Sequence, residues 1–293
     1  MEFAFIISIK CRDKDCCTYP AEGIIRRISM LRRGEVFRNR AKRLLAEKKK
    51  LSAAWLQAAS PITAEIMAKA GFDILMVDME HGPGGIMDLI GQLQAVSHYD
   101  VVPFVRAPWN DFVTIKRILD AGVSGILVPY VNSAEEAARA VSACKYPLEG
   151  IRGIAPSPRA GGYGMNQRDY LDYANEELDV LVAVETKTAV DHIEEIVKTN
   201  GLDGIFIGPM DLATSFGHFC NPKDEEVQEA IRKVEAVVLG SDKFLATVAG
   251  SFEEAKKLYE KGYSMVIMMS DTTTLGKVAL DQVEQFKEMY PQR

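Results

Sequence analysis

Eight short apolar runs, each followed by an amphipathic stretch, constrain this chain more than any single motif. They are AAWLQ at 53–57, ILMVD at 74–78, VPFVR at 102–106, GILVPYV at 125–131, DVLVAVE at 179–185, GIFIGP at 204–209, FLATVA at 244–249 and MVIMMS at 265–270. A continuous apolar run of this length suits a strand buried on both faces, as in a parallel sheet. Among the intervening stretches, PITAEIMAKAG, GIMDLIGQLQAVSHY, DFVTIKRILDAG and SAEEAARAVSACKY repeat apolar residues at helical spacing. Strands alternating with helices imply parallel βαβ units, and eight such units in about 240 residues match a (β/α)8 TIM barrel. No Gly-x-Gly-x-x-Gly follows an early strand, so a doubly wound dinucleotide-binding sheet lacks its main signal. Residues 150–155, interrupted by Arg152 and Gly153, read as part of a long loop.

With 293 residues and 47% hydrophobic composition, the chain can bury one large core or two small ones. Its charge is uneven: residues 1–50 hold 14 Lys and Arg against 6 Asp and Glu, while the remainder holds 21 against 35. A basic head points to nucleic acid or an anionic membrane. Here residues 37–50 (FRNRAKRLLAEKKK) read instead as a solvated helix covering a barrel end, and no nucleic-acid partner is expected. No apolar run approaches the roughly 20 residues of a membrane span, and residues 3–9 are too short, and lack the preceding basic region, for a secretory signal. Cys11, Cys16, Cys17, Cys144 and Cys220 form no Cys-x-x-Cys pair, so neither a disulfide framework nor a zinc knuckle is indicated. The expectation is a cytoplasmic protein without a membrane partner, with residues 1–36 as an N-terminal extension and 37–293 as the barrel.

Barrel active sites lie at the C-terminal ends of the strands, and the residues that close these runs are rich in chemistry. The second run ends in Asp78, Glu80 and His81, the third in Arg106 and the fifth in Glu185; the sixth leads into Asp211, and the first and eighth end in Gln57 and Asp271. Glu185 at the end of a dry sheet is costly unless it is paired or bound to metal. Asp211 follows one βα unit later, where two carboxylates can share a hard cation such as Mg2+ or Mn2+; the competing reading of Asp211 is a helix N-cap. Arg106 is either a structural ion pair or a fixed cation for a carboxylate or developing oxyanion. His81 is either a structural histidine or a general base oriented by Asp78. The loop at 150–164, with Arg152, Arg159 and Tyr163, is either a plain surface loop or a substrate cover.

The segments AGFDILMVDMEH, VPFVRAPWND, LDAGVSGILVPYVNSAEEA, PLEGIRGI, VAVET and GLDGIFIGPMDLATSFG occur in that order between residues 70 and 217, within a resemblance that covers roughly residues 38–290. Together they resemble the HpcH/HpaI aldolase family, the metal-dependent pyruvate aldolases. The resemblance implies a barrel in which Glu185 and Asp211 hold a divalent metal, with Mg2+ or Mn2+ first and Co2+ as a further candidate. It also implies that Arg106 contacts the keto oxygen of a 2-oxo acid, and that amides near Met210 and Asp211 receive the substrate carboxylate. His81, oriented by Asp78, then serves as acid and base. By the same resemblance, the chain forms a hexamer built as a trimer of dimers, the dimers exchange their C-terminal helix, and Asp120 reaches a neighbour's site. Two departures stand out: Ala183 occupies a position where the family often has Gln, and residues 1–36 have no counterpart.

The expected activity is that of a carbon–carbon lyase, a class II aldolase that cleaves or forms 4-hydroxy-2-oxo acids through a pyruvate enolate. Oxaloacetate decarboxylation passes through the same enolate and is the alternative reaction. A Schiff-base mechanism through Lys187 is the mechanistic rival, and a catalytically silent barrel used as an assembly module is the rival from another class.

Overall fold

A computed structural model describes residues 38–165 and 167–292; the extension expected at 1–36 lies outside the described residues. Eight parallel strands close into a barrel in chain order. They are β1 (Leu51–Leu56), β2 (Ile74–Asp78), β3 (Val102–Arg106), β4 (Gly125–Val128), β5 (Asp179–Val184), β6 (Gly204–Ile207), β7 (Phe244–Val248) and β8 (Met265–Ser270). The TIM barrel expected from the alternation is therefore the observed fold. One boundary differs. The fourth run was expected to reach residue 131, but β4 stops at Val128, because Pro129 cannot donate to the ladder and Tyr130 turns to φ 53°.

Helices α1 (Arg40–Ala46), α2 (Pro61–Ala70), α3 (Ile86–Val96), α4 (Phe112–Asp120), α5 (Ala134–Cys144), α6 (Gln167–Glu177), α7 (Lys187–Asp191), α8 (Ile193–Ile196), α9 (Pro209–Ser215), α10 (Glu225–Leu239), α11 (Phe252–Lys261) and α12 (Asp271–Met289) complete the order. Their ends follow local chemistry. Ser60 accepts a hydrogen bond from the Ile62 amide ahead of Pro61, and Gly71 at φ 95° ends α2 in the left-handed conformation. Asp111 caps α4 by accepting from the Thr114 amide at 2.8 Å.

Strand residues of alternate parity face two cores. Leu75, Val77, Val105, Ile126, Val180 and Val182 pack outward against the helices. Ile74, Met76, Phe104, Leu181, Phe206 and Phe244 fill the interior. The rings of Phe104 and Phe244 lie where a Cβ on Gly125 or Gly204 would stand, at 2.6 and 2.5 Å, so these strand glycines make room for the aromatic layer.

The N-terminal mouth of the barrel is closed by α1. Ala41 and Leu45 join the interior cluster, so the helix is a plug rather than only a solvated cover. Asn39 Nδ2 donates to the carbonyls of Ser124 and Glu177 and to Asp179 Oδ2, and Lys42 Nζ donates to the Leu178 carbonyl and Asp203. At the seam, Asp271 accepts from the amides of Gln57 and Ala58 and from the Thr63 hydroxyl, which ties the start of α12 to the end of β1. Beyond that turn α12 leaves its apolar residues in the open: Leu275, Val278, Leu280, Val283 and Phe286 are all exposed. Among the described residues, no helix is long and apolar enough to cross a membrane.

Candidate active site

The period of two that sends Ile74 and Met76, Phe104, and Leu181 and Ala183 inward also delivers Asp78, Arg106 and Glu185 to the inner face of the mouth. Asp78 and Arg106 are register partners on adjacent strands. Arg106 Nε and Nη2 donate to Asp78 Oδ1 and Oδ2 at 2.9 and 2.7 Å, a bidentate pair buried from solvent. The Trp55 ring lies 4.3 Å from the guanidinium carbon and supports its face.

Asp78 is fully engaged. Besides Arg106 it accepts from Gln57 Nε2 at 2.8 Å and from the backbone amides of Glu80 and His81 at 3.1 and 3.2 Å. Burial acts to raise its pKa, but the Arg106 guanidinium and these donors prevail and hold it below the usual carboxylate range. The remaining Arg106 nitrogen, Nη1, lies 3.1 Å from Glu80 Oε2 without hydrogen-bond alignment, so this buried oxygen is left without a hydrogen bond. Burial pushes the Glu80 carboxyl up, with Arg106 opposing.

This geometry corrects the expected Asp78–His81 pair. Asp78 holds His81 through the backbone amide, not through the ring. The imidazole stands largely exposed, and the carboxylate near its Nε2 is Glu80, at 3.9 Å. Asp78 has no lone pair left for a ring N–H, because Arg106, Gln57 and two amides use them. Glu80, which sequence reasoning left without a role, is thus placed between Arg106 and His81.

Glu185 and Asp211 are both hydrogen-bonded to Tyr130. The Tyr130 amide donates to Glu185 Oε2 at 3.0 Å, and its hydroxyl donates to Asp211 Oδ1 at 3.3 Å. Gly208 provides the space, since a Cβ there would stand 2.6 Å from Glu185 Oε1. Burial pushes Glu185 up to about 7, with the charges of Glu80 and Asp211 adding and the Tyr130 amide opposing. Beneath Glu185, Ala183 is fully buried in the apolar interior. Asp78, Glu80, Glu185 and Asp211 thus share a mouth in which Arg106 is the bonded cation among the described residues. A group of hard oxygen donors short of positive charge fits a divalent cation. Among the described residues, no three His, Cys, Asp or Glu side chains converge on one metal position.

The other candidates divide between the mouth and elsewhere. Met210 and Asp211 lie in the first turn of α9, where their amides precede the first intrahelical bond, from the Leu212 amide to the Gly208 carbonyl. Asp120 ends α4, at the opposite end of the βα unit from its own mouth, and accepts from Arg152 Nη2 at 3.0 Å. Arg152 is buried, its guanidinium carbon 4.4 Å from the Tyr146 ring, and Arg159 donates to the Ala121 carbonyl. The loop at 150–164 therefore docks on the end of α4, away from the mouth. The Lys187 ammonium lies over the Phe216 ring at 5.3 Å, in a surface groove shared with α10, so the lysine that the Schiff-base rival names is engaged away from Glu185 and Asp211.

Sequence reasoning missed Tyr130 because PYV extends the apolar run of β4. The available signal was Pro129, which ends a buried strand and places the next residue at the rim.

Residues 51–277 match the family described as HpcH/HpaI aldolase/citrate lyase. The 5-keto-4-deoxy-D-glucarate aldolase of Enterobacter sp. (strain 638) is 38% identical over 254 residues, covering 87% of this chain and 99% of that protein. Among solved structures, an HpcH/HpaI aldolase/citrate lyase family protein from Burkholderia cenocepacia J2315 superposes with a TM-score of 0.82 at 34% identity, covering 85% of this chain and 99% of that one. The HpcH/HpaI aldolase from Desulfitobacterium hafniense DCB-2 gives 0.78 at 26% identity, over 84% and 96% of the two chains.

Proposed function

The chain belongs to the HpcH/HpaI aldolase/citrate lyase family, and on that premise we propose that its mouth performs aldol cleavage with Glu185 and Asp211 holding Mg2+ or Mn2+. The protein is an aldolase, a carbon–carbon lyase acting on 2-oxo acids. The observation that carries the metal reading is the Glu185–Asp211 pair itself, two carboxylates at the mouth that share Tyr130 as hydrogen-bond donor and form no ion pair among the described residues. A divalent metal supplies Lewis-acid stabilisation of the enolate that forms when the bond breaks.

In this reading the protein's own groups do the following. Arg106, fixed by Asp78 and Trp55, supplies the positive charge for the oxygen that becomes anionic. The Met210 and Asp211 amides receive the substrate carboxylate. His81 takes the proton from the 4-hydroxyl as the C3–C4 bond breaks. The 4-carbon leaves as an aldehyde, the bonding electrons stay on C3 as the pyruvate enolate, and a proton returned to C3 completes pyruvate. Glu80, rather than Asp78, is the carboxylate beside the His81 ring.

The substrate class follows from the relative's name. A 5-keto-4-deoxy-glucarate, numbered from its keto end, is a 4-hydroxy-2-oxo acid with a second carboxylate, and its cleavage gives pyruvate and a three-carbon aldehyde acid. We assign this chain to that class. Pyruvate release from a panel of 4-hydroxy-2-oxo acids with and without a distal carboxylate, together with oxaloacetate, tests the assignment. Cleavage should prefer the diacids, stop with EDTA and return with Mn2+ or Mg2+. Activity indifferent to EDTA, or confined to oxaloacetate, would overturn it.

The exposed apolar side of α12 and the position of Asp120 support assembly into a hexamer, a trimer of dimers that exchange this helix, with Asp120 serving a neighbour's mouth. The cytoplasm is the compartment this reading assigns.

A further inference from the structure

We propose that Tyr130 is a positioning residue for the metal carboxylates, holding Glu185 by its amide and Asp211 by its hydroxyl and so raising the affinity of the pair for a divalent cation. The inference rests on the metal reading given above. The three groups come from successive units of the barrel: the loop after β4, the end of β5 and the first turn of α9. A single residue spanning both ligands fixes their separation, which neither ligand can do for itself.

The backbone is built for this task. Tyr130 sits at φ 53°, a conformation a bulky side chain adopts only when its surroundings impose it. The surroundings do so on every side. Asn132 Nδ2 donates to the Tyr130 carbonyl at 3.0 Å, the Val131 amide donates to the Ala183 carbonyl at 3.3 Å, and the Thr186 hydroxyl donates to Asn132 Oδ1. The Trp109 ring stands beside the Tyr130 ring, with centroids 6.0 Å apart. The φ of Tyr130 sets the direction of its side chain relative to its own amide, so the unusual angle belongs with an amide on Glu185 and a hydroxyl on Asp211.

Two carboxylates facing one site repel each other and move apart unless hydrogen-bond donors hold them in place. Partners of this kind behind a metal ligand typically change metal affinity by about 10–100-fold when removed. Tyr130→Phe keeps the amide bond to Glu185 and deletes only the hydroxyl donor to Asp211. Isothermal titration of the chelator-stripped full chain with MnCl2 should show affinity weakened on the order of tenfold, with the melting temperature in EDTA unchanged. A tyrosine that merely packs would show the reverse, a lower melting temperature at unaltered affinity, and that result would overturn the proposal. So would Mn2+ affinity within about twofold of the parent. Glu185→Gln separates the two readings. If it abolishes Mn2+ binding while Tyr130→Phe leaves binding intact, the metal centre stands and the role of Tyr130 falls. If the parent binds no Mn2+, both fall.

Discussion

Without metal, Glu185 should weaken the fold that carries it, and Glu185→Gln should make the metal-free protein more stable at alkaline pH. The carboxyl is pushed from an ordinary 4.5 to about 7, chiefly by burial. At about 1.4 kcal/mol for each tenfold change in proton affinity, that rise corresponds to about 3 kcal/mol. Because the folded state keeps the proton longer, the unfolded chain binds fewer protons between pH 4.5 and 7, and stability falls as pH rises through that window. The cost is absent well below pH 4.5 and complete above pH 7. Glutamine keeps an oxygen for the Tyr130 amide and fits the space left by Gly208, so it removes the charge with little change of shape. In EDTA, at equal protomer concentration, denaturant unfolding should favour Glu185→Gln by about 3 kcal/mol at pH 8 and by less than about 1 kcal/mol at pH 5. On heating, the pH 8 difference corresponds to roughly 6–12 °C. Excess Mn2+ should then raise the parent and leave the variant unmoved. A variant no more stable than the parent at pH 8, or equally favoured at both pH values, would refute the reasoning.

Two further outcomes follow from the same geometry. Asp78→Ala leaves the buried Arg106 guanidinium without its bidentate partner, so it should destabilise by about 3–5 kcal/mol in denaturant melts and raise KM for the 2-oxo acid; unchanged stability and KM would contradict the role given to the pair. The exposed apolar residues of α12 predict that the full chain sediments as an oligomer, and that Val283→Glu with Phe286→Glu shifts it to smaller species; a monomeric parent at micromolar concentration would contradict the assembly.

The barrel was legible in the sequence because its signals are local and repeated. A strand buried on both faces must be apolar throughout, so β2 and β5 announce themselves, and the first polar residue at the mouth marks its own position. Asp78, Arg106 and Glu185 were found this way. Pairings between those positions were less legible, because they depend on which lone pairs remain after the backbone has been served. Asp78 lies three residues from His81, and that spacing suggested a carboxylate behind an imidazole. In the fold, the same spacing brings the His81 amide onto Oδ1 and leaves the ring near Glu80. Tyr130 was hidden for another reason: it follows an apolar run, and its function depends on a backbone angle that composition does not encode.

The plug formed by α1 has a consequence for how the chain comes to its fold. Asn39 and Lys42 find their partners at Glu177, Asp179 and Asp203, between 138 and 161 residues away. During synthesis this helix emerges before the barrel strands but cannot be seated until β5 and the start of β6 have been made. Its closing contacts carry a long loop-closure cost, and until they form Leu45 is left in water. A nascent chain halted after β4 therefore presents an open barrel end and an unseated helix, the kind of surface that chaperones recognise. The early part of the chain is thus committed late, because the seating of α1 waits for partners in the second half of the barrel.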